Sequence, residues 1–224
     1  MFIQLSYKID KNTPAYGGKK GFLLKPSNQI EKGDSANTAE WTFPNHLGTH
    51  IDFPYHFHQN GQTVEDFPTD FWFIKKDKTQ IINVDLPEEE LLIKPEYINK
   101  DNINFDAEFI IFKTGIGKYR SEDRYWEFNP GISVELADWI QDKFKKIKII
   151  GLDSISISSW QHRDVGRHVH KKLLDPKKPV LFIEDMDLSQ INEDTVFKNI
   201  VIAPIMVKKS DGGPVTILAE VEKW

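Results

Sequence analysis

Residues 45–59 read N-HLGTHIDFPYHFH-Q and hold four of the seven histidines of the chain, together with an aspartate. The other three, His162, His168 and His170, fall in a second short window. Imidazole and carboxylate at this density cannot be buried as ordinary core, because each polar group taken from water needs a partner. The chain must therefore fold so that these groups satisfy one another or share an ion. Divalent zinc, manganese and iron select such donors.

His46, Gly48, His50, Asp52, Pro54, His56 and His58 share even parity, so in an extended chain they face one way, while Leu47, Ile51, Phe53 and Phe57 face the other. Gly48, Pro54 and the β-branched Thr49 and Ile51 disfavour a helix here. His50 and Asp52, about 7 Å apart along a strand, can converge on one ion. His46 lies about 13 Å from His50 in a straight strand, so it reaches the same ion only if the chain bends, and Gly48 is the residue that can bend it. His56 returns only through a turn, which Pro54 can set.

In the second window, Asp164 can cap a helix over residues 165–174. His170, Leu173 and Leu174 share its inner face, and His168 points away. Glu184 ends the apolar run PVLFI, where a carboxylate is costly unless it is paired or bound to metal. Asp185 and Asp187 read as solvated loop acids. Ser154, Ser156, Ser158 and Ser159 read as strand and loop polar residues.

The rest of the chain narrows the class. A length of 224 residues suits one domain with a sizeable core. Cysteine is absent, so disulfides and thiolate ligands are excluded and any metal is held by nitrogen and oxygen. Net charge is −5 with mixed signs, which leaves no basic face for nucleic acid. The N-terminus lacks a secretory pattern and no apolar run reaches membrane-span length, so the expectation is a cytoplasmic protein with no membrane partner.

Strands are expected at residues 2–9, 39–43, 80–86, 108–114, 147–152, 179–183, 199–207 and 214–221. Residues 12–21, with Pro14 and two glycines, read as a loop that carries the aromatic Tyr16. Short helical pieces are expected at residues 88–100. The clearest helix spans residues 133–146, capped by Ser133, with Leu136, Ile140 and Phe144 on one face. This mixture predicts a single α/β domain over residues 1–224.

The string HLGTHIDFPYHF resembles the H-x-G-T-H-x-D-x-P-x-H signature of the putative cyclase family of metal-dependent hydrolases, which includes bacterial kynurenine formamidase and isatin hydrolase. FNPGISVELADWI, IIGLDSISI, HKKLL and IEDMDL resemble further elements of that family. The resemblance implies a swivelling β/β/α type of fold with a mixed or barrel-like sheet and few helices, assembled as a homodimer. It implies that His46, His50 and Asp52 bind one ion, that Asp52 and Glu184 bridge to a second completed by His170, and that His56 is the acid/base. The ions would be two zinc per subunit, with manganese as the alternative. Tyr16 takes the place of a substrate-contacting tryptophan, Phe53 replaces an alanine at the substrate, and residues 175–179 lengthen the path from His170 to Glu184 by two. The expected activity is hydrolysis of an amide C–N bond in a small aromatic substrate, as an arylformamidase does. Opening of a cyclic amide or lactone, and a metal-binding module without turnover, are the alternatives.

Overall fold

Near-continuous apolar runs become the middle of the sheet. The computed structural model describes residues 1–18 and 21–222. Its strands are β1 (Phe2–Gln4), β2 (Leu23–Asn28), β3 (Thr38–Thr42), β4 (His50–Asp52), β5 (Phe73–Lys75), β6 (Thr79–Asn83) and β7 (Leu92–Ile93). They continue with β8 (Phe109–Lys113), β9 (Gly131–Ile132), β10 (Ile149–Leu152), β11 (Leu181–Glu184), β12 (Phe197–Pro204) and β13 (Gly212–Val221). The helices are α1 (Arg124–Glu127), α2 (Val134–Lys143) and α3 (Arg163–Leu173).

The main sheet runs β5-β12-β13-β4-β11-β10-β8-β6, with β1 added on β13. Strands β6, β8, β10 and β11 are parallel, and β4 joins them antiparallel to both β11 and β13. All residues of β10 and β11 are buried, as parallel strands covered on both faces require. Strands β12 and β13 instead alternate buried and exposed residues, so one face meets solvent. One hydrophobic cluster extends from Ile3 to Val221 and joins both parts of the sheet. The architecture is the expected α/β fold: a mixed sheet and few helices.

Helix α2 starts where expected, with the Ser133 hydroxyl accepting a hydrogen bond from the Leu136 amide at 3.1 Å. Leu136, Ala137 and Ile140 are buried along it. Helix α3 begins earlier than the sequence suggests. A 3-10 turn over Trp160–His162, capped by the Ser159 hydroxyl, feeds directly into it, so Asp164 sits inside the first turn rather than capping it.

Other expectations are corrected. The first strand stops at Gln4; beyond it Leu5 still bonds Ile217, Ser6 makes a single bridge to Met186, and the Tyr7 amide turns to the Thr49 hydroxyl. Residues 88–100 hold a 3-10 turn, Pro95–Tyr97, and strand β7, which pairs in parallel with β9. The hairpin β2–β3 stands apart, with every strand residue exposed, including Leu23, Leu24 and Trp41. Among the described residues, no helix is long and apolar enough to cross a membrane.

Candidate metal centre

Strand β4 is only three residues long, and its register places two functional groups. His50 lies opposite Glu184 of β11 and Pro214 of β13, and Asp52 lies opposite Phe182 and Gly212. His50, Asp52 and Glu184 therefore share one face of the sheet, while Ile51 packs into the core on the other. Both flanks bend as expected. Gly48 adopts φ +67°, and Pro54 opens the 3-10 turn Pro54–His56. These bends return His46 and His56 to the site, with their rings 4.2 Å apart.

The buried donors converge. His50 Nε2 is 3.2 Å from Glu184 Oε2 and 3.5 Å from Asp52 Oδ1. His170 Nε2 approaches Asp52 Oδ2 at 3.6 Å and Glu184 Oε1 at 3.8 Å. Donors at about 2.1 Å from a tetrahedral ion sit about 3.4 Å from one another, so this spacing fits a divalent cation. The tautomers fit as well. His50 Nδ1 donates to the Gly48 carbonyl and His170 Nδ1 to the Gly166 carbonyl, each at 2.8 Å, so both rings turn Nε2 toward the carboxylates. That outer hydrogen bond is the arrangement metal-binding histidines adopt. Asp52 is the shared member, with Oδ1 toward His46 and His50 and Oδ2 toward His170.

Glu184 is held by two donors, the Ile157 amide at 2.7 Å and the Ser156 hydroxyl at 3.1 Å. The serines thus do more than fill loop positions. The Ser158 hydroxyl also lies 3.4 Å from His170 Nδ1. Phe57 stacks on His170 with ring centroids 4.5 Å apart.

One residue escaped the sequence reading. Asp211, in the turn before β13, places Oδ2 at 3.0 Å from His46 Nε2 and 2.9 Å from His56 Nδ1. Asn45 Nδ2 donates to its other oxygen at 2.6 Å. Gly212 beside it is required, because a Cβ there would lie 2.5 Å from His46 Cε1. In the sequence, residues 210–213 (Ser-Asp-Gly-Gly) show only the turn between the last two expected strands.

Charge is balanced among these groups. Burial opposes a proton on His46, but the charge of Asp52 and hydrogen bonds to Asp211 and Asp52 outweigh it and push its pKa up to about 10. Burial likewise favours a neutral Asp52, yet His46 and His170 hold it well below the usual carboxylate range. Hydrogen bonding to His46, then to His56, holds Asp211 low.

The remaining expected residues divide. Tyr16 lines the same cavity of about 270 Å³ as His46, His56 and His170. Phe53 does not. Its ring is buried in the core against Phe67 and Trp72, at centroid distances of 5.9 and 6.2 Å. His168 is exposed, as expected, and His58 bonds the Lys171 carbonyl away from the cluster. Asp185 is no solvated acid: it is buried, takes a two-pronged ion pair from Arg120 at 2.7 Å per bond, and accepts from the Tyr125 hydroxyl at 2.5 Å.

A mixed sheet with a buried imidazole–carboxylate cluster on β4, β11 and α3 defines an α/β protein equipped for a divalent metal. The chain belongs to the family described as Putative cyclase, whose model matches residues 3–159. That span includes His46 through His56 and ends before His170 and Glu184, which the geometry brings to the cluster as the sequence reading expected.

Among its relatives is the kynurenine formamidase of Bacillus thuringiensis subsp. konkukian (strain 97-27), 23% identical over 214 residues that cover 96% of this chain and 94% of that protein. The fold matches isatin hydrolase A from Labrenzia aggregata bound to benzyl benzoate, with TM-score 0.78 and 19% identity over 100% of this chain and 94% of that one. It also matches a predicted metal-dependent hydrolase from Bacillus stearothermophilus, with TM-score 0.74 and 22% identity over 98% and 97% of the two chains.

Proposed function

We propose that this chain is a metal-dependent amide hydrolase of the arylformamidase type, converting N-formylkynurenine or a close N-formyl aryl amide to the amine and formate. The observation that carries the reading is His56. It stands beside the buried donors, lines the same cavity, and has Nδ1 tied to Asp211, leaving Nε2 to exchange protons. A site that only stores metal could take His56 as a further ligand beside His46 and Asp52, and the test separates that role from proton transfer.

His46, His50 and Asp52 would hold one ion, and Asp52, Glu184 and His170 a second; zinc is the expected ion and manganese the alternative. When bound, a divalent ion polarises a carbonyl and lowers the pKa of water toward ~7. His56 takes a proton from the attacking water and delivers it to the leaving nitrogen. The carbonyl carbon gains the water oxygen, the C–N bond breaks, and the amine departs neutral. Asp211 holds the His56 ring in position and steadies it while it carries the extra proton.

The test compares N-formylkynurenine with isatin, each with zinc and with manganese. Faster turnover of the formamide supports the proposal, and faster turnover of isatin replaces it with ring opening. Flat rates on both at full metal occupancy overturn it. In the same assay, His56→Ala keeps its metal and loses about 10²- to 10⁴-fold in kcat. Metal lost along with the rate would show that His56 is a ligand instead.

A further inference from the structure

The cavity has a mouth that the reaction above does not use. Arg163 and Arg167, one turn apart at the start of α3, line it together with Tyr16. Arg167 is already occupied, with Nη1 on Asp164 at 2.5 Å. Arg163 is not. Among the described residues it pairs with no carboxylate and donates no side-chain hydrogen bond; its guanidinium rests over the Trp160 ring at 4.9 Å. Trp160 in turn meets the Tyr16 ring edge-on at 5.1 Å. Stacking of this kind holds the planar guanidinium in place without using its N–H donors.

Tyr16 supplies a second, independent sign. Its hydroxyl is buried, yet among the described residues no hydrogen-bond partner reaches it. A buried hydroxyl without a partner costs about 1–3 kcal/mol, so such groups are rare unless a ligand completes them. Burial pushes its pKa up and the charge of Arg163 draws it back, which sets the two groups in one electrostatic neighbourhood. The carboxylates that line the cavity, Asp52 and Glu184, are engaged by imidazoles and leave Arg163 uncompensated.

We propose that Arg163 and the Tyr16 hydroxyl form a subsite for a carboxylate, so that the substrate carries an anionic group beyond its scissile bond. One unpaired guanidinium and one phenol suit a planar monoanion, since the fork of N–H donors matches two carboxylate oxygens. Arg167 spends one nitrogen on an exposed pair with Asp164, so among the described residues Arg163 is the arginine at the cavity with all its N–H donors free. The inference rests on the hydrolase reading only for the word substrate; the subsite itself is a binding property. It separates this site from one made for a neutral cyclic amide.

The test therefore reads binding without turnover. Isothermal titration of the metal-loaded protein compares benzoate, phenylacetate and 3-phenylpropionate with their carboxamides, each pair differing only in charge. At least one carboxylate should bind tenfold or more tightly than its amide. Arg163→Ala should bring that ratio close to one, Arg163→Lys should restore part of it, and Tyr16→Phe should lower it several-fold while the aromatic ring stays. Circular dichroism confirms that each variant is folded.

A wild-type protein without preference for any carboxylate overturns the proposal. So does a preference that survives Arg163→Ala, which would place the anion on the metal. Intact preference with no hydrolysis of any formamide would instead remove the hydrolase reading and leave the subsite standing.

Discussion

Asp211→Asn is the sharpest perturbation of the site, because it keeps the size of the side chain while removing its charge and turning one acceptor oxygen into a donor. The carboxylate accepts from His46 Nε2 at 3.0 Å and His56 Nδ1 at 2.9 Å. A hydrogen bond to a charged group is worth about 1.5–3 kcal/mol. The Asp211 side chain is 35% exposed, so solvent screening places the bond to His56 near the low end, at about 1.5–2 kcal/mol. If that bond strengthens as His56 takes its proton, its loss falls on the transition state. The expected effect is then a roughly 10- to 30-fold drop in kcat, with KM little changed. Stopped-flow absorbance of formamide hydrolysis at saturating metal gives kcat and KM separately, and elemental analysis gives occupancy. A kcat within twofold of the wild type at full occupancy would refute the role assigned to Asp211. A rate that follows occupancy would move its role to His46.

Four other measurements probe the same structure. His56→Ala, at full occupancy, should lose the 10²- to 10⁴-fold stated above. In the metal-free protein the His46 pKa is raised to about 10, so the stability its protonated ring contributes is complete below the unfolded value of ~6.5 and is lost as pH rises toward 10. Metal must displace that proton, so the Tm difference between loaded and metal-free protein should widen from pH 6 to pH 9; a constant or narrowing gap contradicts the charge balance described. Arg120→Met leaves the buried Asp185 carboxylate unpaired, a cost of roughly 3–5 kcal/mol and a Tm lowered by roughly 10 °C, whereas Arg120→Met with Asp185→Asn should recover part of the loss. The resemblance implies a homodimer, and the hairpin β2–β3 is the surface expected to carry it. Leu24→Lys and Trp41→Lys should then halve the mass seen by light scattering, and an unchanged mass rejects that surface.

Much of the site is local and was legible before any coordinate. Parity put His50 and Asp52 on one face and Ile51 on the other, because both faces of a strand follow from alternation alone. Gly48 and Pro54 announced the bends on either side, and both bends are present. Helical spacing separated the inward His170 from the exposed His168. A carboxylate closing an apolar strand marked Glu184, and the run of buried residues in β11 bears out that surrounding.

Parity fails where the chain stops being extended. Past Pro54 the 3-10 turn rotates the backbone, so Phe57 stacks on His170 at the site as well as packing against the core where alternation had placed it. Phe53, still at the end of the extended stretch, goes to the core where alternation sends it; only the family resemblance had set it at the substrate. Asp185 looked solvated because nothing local shows that Arg120 and Tyr125 close over it. Asp211 lies 155 residues from His56 and carries no periodic signal of its own. The chain's local pattern thus determined which groups would be costly to bury. Which distant groups meet that cost was decided by sheet order, which brings Asp211 and the start of β13 alongside β4, and that order depends on contacts no short window contains.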